Sequence, residues 1–182
     1  MRAAAAILFL LLLPVLFEAC EKGGGGGKFT IKTINAVAQK INQGHAPDPA
    51  PSSLKTSDLL ISVQIGYEFL TYNRRSTTAA YADEAPPTSV EKITSFTITS
   101  DSVLTTAQAT FTPGEDVASV FYDANNFYFQ NQDSVLTGFD YTFRTDFTVP
   151  KKQKHNFKFS IGLDDGRKII TETGPHELLP EK

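Results

Sequence analysis

Three histidines, one cysteine and a scatter of carboxylates are the side chains with which this chain could do chemistry. His45, His155 and His176 are far apart in sequence, and none sits in an HExxH or HxH pattern. Their spacing puts no two imidazoles on one metal, so the expectation is three solvated or locally bonded rings. Asp164-Asp165-Gly166 has the look of a calcium-loop fragment, but the alternating oxygen ligands and the closing Glu are missing. A tight hairpin is expected there instead. Nucleophile patterns fail in the same way: there is no GxSxG elbow, no SxxK and no second cysteine. Asp140 and Asp146 share a face of one strand pattern but lie about 20 Å apart along it, too far for a glycosidase pair. Gly23 to Gly27 lacks the Lys-Ser/Thr ending of a phosphate loop. The basic cluster Lys151-Lys152-Gln153-Lys154-His155 follows Pro150 and reads as a solvated loop, with contact to an anionic membrane or glycan as the alternative. The expectation is a protein that is not an enzyme, without metal or cofactor.

Aromatic side chains are the remaining candidates. Tyr72 and Tyr81 flank a stretch read as a long loop, and strand alternation would put Tyr128 on the opposite face from Phe127 and Phe129. These three tyrosines are the candidate ligand contacts. Sugar-stacking sites favour Trp and Tyr, and the chain has no Trp.

Cys20 is a different kind of chemical signal. Before it come Met1-Arg2 and an uncharged apolar run from Ala3 to Phe17; after it come Glu21-Lys22 and five glycines. The run is short for a membrane span, which needs about 20 residues. A positive residue followed by such a run reads as a signal peptide. Ala19 before Cys20 suits a lipoprotein cleavage site, although Phe17 and Glu18 depart from the usual Leu and small residue. The expected organisation is a cleaved leader over residues 1–19, a lipidated Cys20 with a flexible tether over 20–28, and one domain over 29–182. Lipidation also accounts for a single cysteine in an exported chain, where a disulfide partner would otherwise be wanted. Two or more acyl chains give stable anchoring.

The formal net charge of −3 makes no electrostatic case for nucleic acid. Beyond the leader, Thr, Ser, Val, Ile and Phe are plentiful, which favours strands. Period-two alternation is clearest over Leu59–Phe69, Phe139–Val149 and Phe157–Leu163. Weaker strand patterns cover Phe29–Ile34, Lys92–Ser100, Leu104–Phe111, Val117–Tyr122, Phe127–Gln130 and Arg167–Thr173. Gly166 is predicted to supply a positive φ in a hairpin, and Pro113-Gly114 suits a type II turn. Ile34, Val37, Ala38 and Ile41 have helical spacing and leave a short helix open as an alternative to strand. Gln43–Ser53 and Asn73–Glu91 read as loops, the second long enough to be functional, disordered or hiding a short element. Asp101–Thr105 recurs as Asp133–Thr137, which reads as two similar turns rather than a duplicated unit.

Eight or nine strands with no convincing long helix argue for an all-β antiparallel β-sandwich, immunoglobulin-like or transthyretin-like. The Cys…Trp…Cys signature of antibody domains is absent. The leader, Cys20, the glycine tether and the β-rich body together resemble a Bacteroidetes-type lipoprotein with a single immunoglobulin-like domain. That resemblance implies a lipid-anchored location in the cell envelope, at the outer membrane on its periplasmic or surface face. It implies a membrane partner through the lipid and a binding or structural role. An envelope protein or a glycan would be the partner; a glycan-binding accessory lipoprotein and a pilus-type subunit assembling by strand exchange are the alternatives. No site residues follow from it besides Cys20.

Overall fold

The computed structural model describes residues 27–42, 46–71, 87–123, 134–137 and 139–181. They form strands and two short 3₁₀ turns, with no α-helix among the described residues. The strands are β1 (Lys28–Lys40), β2 (Asp48–Pro49), β3 (Ser53–Lys55), β4 (Leu59–Thr71), β5 (Thr88–Ser100), β6 (Leu104–Thr105) and β7 (Thr110–Phe111). They continue as β8 (Phe121–Asp123), β9 (Ser134–Thr137), β10 (Asp140–Thr145), β11 (Gln153–His155), β12 (Phe157–Leu163), β13 (Lys168–Glu172) and β14 (His176–Leu179).

The main hydrogen-bonded path runs β13-β12-β5-β1-β4-β10-β8, with β2 attached to β1 and β9 to β5. Its middle is nearly broken. β1 pairs with β4 along almost its whole length, yet meets β5 only through Lys28↔Thr88 and Phe29↔Ser89. Beyond those two pairs the strands diverge into two layers. Rings from both layers meet between them: Phe96 of β5 lies 5.8 Å from Phe143 of β10, and Phe121 of β8 packs edge-on against Phe157 of β12 at 5.3 Å. The result is a two-layer stack joined at one corner, as expected for elements that are each apolar on one face. The core is built from alternate residues, such as Leu59, Ile61, Val63 and Ile65 of β4 against Ile98, Phe159 and Ile161 of the other layer.

Leu59–Phe69 and Phe157–Leu163 form strands along their whole length, whereas Phe139–Val149 is strand only over Asp140–Thr145, with an isolated bridge at Thr148 beyond it. Phe29–Ile34 and Lys92–Ser100 prove to be parts of the 13-residue β1 and β5. The helical spacing from Ile34 to Ile41 is overridden, because β1 is held by β4 on one side over twelve register pairs. Purely antiparallel pairing does not hold: β1 runs parallel to β5, and β14 parallel to β3, so the sheets are mixed. Leu104–Phe111 is not one strand but a two-rung hairpin, β6 with β7. Val117–Tyr122 is a 3₁₀ turn over Ala118–Val120 that leads into β8. The long loop ends earlier than Glu91, since Thr88–Glu91 already belongs to β5. Within Gln43–Ser53, Asp48–Pro49 pairs with the end of β1 and Ser53 opens β3. The two copies of the Asp-Ser-Val-Leu-Thr echo part company: Leu104 and Leu136 are both buried, but β6 pairs β7 whereas β9 pairs β5.

Both expected glycine turns form. Gly166 has φ +86° and its amide donates to Leu163 O at 3.0 Å, closing the β12–β13 hairpin. Gly114 also has φ +86°, and Glu115 N donates to Thr112 O at 3.1 Å across it.

A second small sheet, β11-β14-β3, packs at the Leu59 and Ser100 ends of the long strands, where Leu54 and Leu178 are buried. It plugs that end of the two-layer core. Among the described residues no strand crosses the opposite end, where Lys28, Thr71 and Thr88 lie side by side.

Candidate functional site

A hydrolase would require converging carboxylates or a Ser–His pair, and the fold assembles one Ser–His pair. His155 is fully buried in β11, not in a solvated loop. Its Nδ1 lies 3.0 Å from Ser100 Oγ and its Nε2 lies 2.7 Å from Gln153 Nε2. Gln153 Nε2 also donates to Val103 O at 2.7 Å, which orients its amide with the nitrogen toward the ring. The second N–H of that amide therefore donates to His155 Nε2, making Nε2 an acceptor and placing the ring proton on Nδ1. Nδ1–H then donates to Ser100 Oγ, which also accepts from Ser102 N at 3.2 Å. A general base needs the reverse, with the ring accepting the serine proton. Burial pushes the His155 ring down to about pKa 4, with nearby Asp101 opposing the shift. This is a neutral imidazole locking β5 to β11, stacked at 5.8 Å on Phe157.

The buried carboxylate, Glu91 on β5, is equally absorbed by structure. It accepts from Thr30 Oγ1, from Ile31 N at 3.2 Å and from Arg167 Nη2. Arg167 Nη1 donates to Ile31 O at 2.6 Å, and its Nε donates to Asp165 Oδ2 at 2.6 Å. Burial pushes the Glu91 carboxyl up, but the hydrogen bonds from Thr30 and Ile31 and the Arg167 charge outweigh it and hold it below the ordinary value. The location explains the need. β1 leaves β5 after Phe29, so the Ile31 amide and carbonyl have no ladder partner. Buried backbone groups without partners cost about 1–3 kcal/mol each. Glu91 and Arg167 stand in for the missing strand. Further along, Thr171 Oγ1 does the same for Ala36 N at 3.3 Å.

A third cluster is exposed. On β4 the alternation of Leu59, Ile61, Val63 and Ile65 continues through Tyr67 and Phe69, which are partly exposed where the earlier four are buried. Tyr67 is 41 % exposed and Leu70, on the other face, 54 %. Tyr67 stacks on Phe139 at 3.7 Å with 13° between the planes, and Phe29 and Phe69 meet its edges at 5.7 Å and 5.0 Å. Phe29 beneath is fully buried, and Val90, beside the Phe29↔Ser89 pair, is exposed. Among the described residues the rim carries one exposed ion pair, Lys32–Glu68, and the exposed Lys28, whose Nζ donates to Thr88 Oγ1 at 2.8 Å.

Tyr72, Tyr81 and Tyr128 lie outside the described residues, as do Cys20, the tether to Gly26, and Phe127–Gln130. The aromatic end was hidden in the sequence because Tyr67 and Phe69 continue a core pattern. The signal that separates them is position, since they lie among the last residues of β4. Among the described residues there is no group of three or more His, Cys, Asp or Glu side chains that could hold a metal. No described helix is long and apolar enough to cross a membrane. No family model, curated protein or solved structure matches the chain.

Proposed function

We propose that this chain is a lipid-anchored protein of the cell envelope, held at the outer membrane through Cys20. Its β-sandwich domain has a binding or structural role rather than a catalytic one. The observation that carries this reading is how the tether joins the domain. Lys28, directly after the glycines, pairs with both Thr71 and Thr88, and Gly27 O accepts from Thr88 N at 3.1 Å. The first domain residue is thus pinned between two long strands. A pull on the anchor is borne by two ladders at once.

The chemistry of the described polar clusters supports the non-catalytic part. The Ser100–His155 pair has its proton on the wrong nitrogen for a base and is sealed from solvent. Glu91 and Arg167 are taken up by an open strand edge. The strand-exchange alternative is less favoured, because β1 is held by β4 over twelve register pairs and pinned to β5 at its start, although its edge beyond Phe29 is open.

An immunoglobulin-like Greek-key topology is the finer reading of the fold. β9 pairs in one layer and β10 in the other, so the chain changes layer between these two strands. Just after that crossing, buried Tyr141 donates its hydroxyl to Thr137 O, four residues upstream, at 3.0 Å. A tyrosine bonded back across such a corner is a hallmark of immunoglobulin-type sandwiches.

Metabolic labelling with a palmitate analogue tests the anchor. The wild type takes the label and Cys20→Ala does not; an unlabelled wild type refutes the assignment.

A further inference from the structure

The aromatic end and the tether emerge at the same place. Lys28 opens β1, and its register partners Thr71 and Thr88 bound β4 and β5 there. Leu70 precedes Thr71, Phe69 pairs with Phe29, and Val90 is one residue past Ser89. Tyr67, Phe69, Leu70 and Val90 are therefore four of the nine exposed large hydrophobic residues of the described chain, gathered within a few residues of the point where the tether leaves. The chain before that point holds the apolar run Ala3–Phe17 and Cys20. From Cys20 to Lys28 the chain reaches at most about 28 Å when extended and about 15 Å as a coil.

We propose that this end of the domain, presenting Tyr67, Phe69, Leu70 and Val90, is an interfacial membrane contact that seats the sandwich on the lipid surface. The inference rests on the anchoring reading above. An anchor eight residues away keeps the rim within about one coil length of the headgroups, so contact needs no long search. The rim has the right chemistry. Tyrosine at a bilayer interface keeps its ring among acyl chains and its hydroxyl in water, and exposed Leu and Val gain by burial among the lipid tails. Among the described residues its charges are the Lys32–Glu68 pair and Lys28, so apolar burial rather than net charge is its main attraction for lipid. The basic loop at Lys151, Lys152 and Lys154 is not part of this contact. It lies near Ser100 and Ser102 at the far end of β5, twelve residues and about 40 Å from Thr88. With the rim on the membrane, that loop faces away from it.

The absence of Trp makes the test direct, because one introduced Trp is the only indole in the protein. Leu70→Trp is made in the full chain, purified from membranes and reconstituted in phosphatidylcholine vesicles with brominated acyl chains. Ile170→Trp, exposed on β13 and paired through Ser160 and Thr97 well away from the rim, is the control. Val90→Trp is a second rim reporter in case Leu70→Trp does not fold. Flotation of the vesicles reads anchoring separately. The expected result is co-flotation of all variants, with strong bromine quenching and acrylamide protection at position 70 or 90 and neither effect at 170. Co-flotation without quenching at the rim overturns the seating and leaves the anchor intact. Equal quenching at 70 and 170 overturns it too, since the contact is then not made by this end. Failure to float overturns both readings.

Discussion

Lowering the pH from 7.5 to 5.0 should destabilise this domain through one residue, His155. Burial holds its folded-state pKa at about 4, against 6.5 for the free side chain. The unfolded chain therefore takes up the proton first. Stability from the neutral ring is fully present above about pH 6.5 and is lost progressively as the pH falls toward 4. The full difference is worth about 3 kcal/mol, and about 2 kcal/mol of it is lost by pH 5.0. The depressed carboxyls of Glu91 and Glu181 act in a lower window. Their contribution is present above the ordinary carboxyl value of 4.5 and disappears only as the pH drops below it. The comparison protein is His155→Phe, which keeps a ring stacked on Phe157 but cannot titrate. It loses the bonds to Ser100 and Gln153 and should be less stable at pH 7.5 by about 1–2 kcal/mol. Urea unfolding followed by circular dichroism at both pH values reads the difference. The wild type should lose about 2 kcal/mol between them and the variant less than about 0.5 kcal/mol. Parallel losses in the two proteins would refute the buried neutral imidazole.

Three substitutions probe the other devices. Tyr141→Phe removes the hydroxyl bonded to Thr137 O and should cost about 1 kcal/mol in urea unfolding; an unchanged midpoint would dismiss the corner bond. Glu91→Ala strips the acceptor from Ile31 N and leaves Arg167 only Asp165 and Ile31 O as partners at the open edge of β1, for a loss of about 2–3 kcal/mol. Arg167→Ala should cost less, about 1 kcal/mol, because that side chain is 40 % exposed and solvent screens it. Equal costs would mean that Arg167, through Ile31 O and Glu91 together, matters to the β1 edge as much as the carboxylate does. Gly166→Val meets no atom within 4 Å of the added Cβ, so its cost is backbone strain at φ +86°, about 1 kcal/mol or more by thermal melting.

Much of the architecture was legible in local pattern. Period-two runs such as Leu59–Phe69 and Phe157–Leu163 mark strands because alternate side chains must leave a sheet on opposite faces. Gly166 and Gly114 announced their turns because a positive φ is costly for other residues. Cys20 with its apolar leader and glycine tether carries its own chemical expectation, which needs no fold. The helical spacing at Ile34–Ile41 shows the limit of such reading. Four apolar residues fit a helix equally well, and only pairing with β4 decided for strand.

What the sequence could not state is which segments meet. Ser100 and His155 are 55 residues apart, and nothing local says that one buries the other or which ring nitrogen holds the proton. Glu91 looked like the end of a loop, yet it and Arg167, 76 positions later, replace the strand that β1 lacks after Phe29. The parallel pairings of β1 with β5 and of β14 with β3 likewise depend on chain crossings that composition does not encode. Tyr67 and Phe69 carry the same alternation as Val63 and Ile65. They differ in burial: the small β11-β14-β3 sheet packs at the Leu59 end of β4, while Tyr67 and Phe69 lie partly exposed toward the other. Exposure is a property of what packs opposite, and that is set by tertiary structure alone.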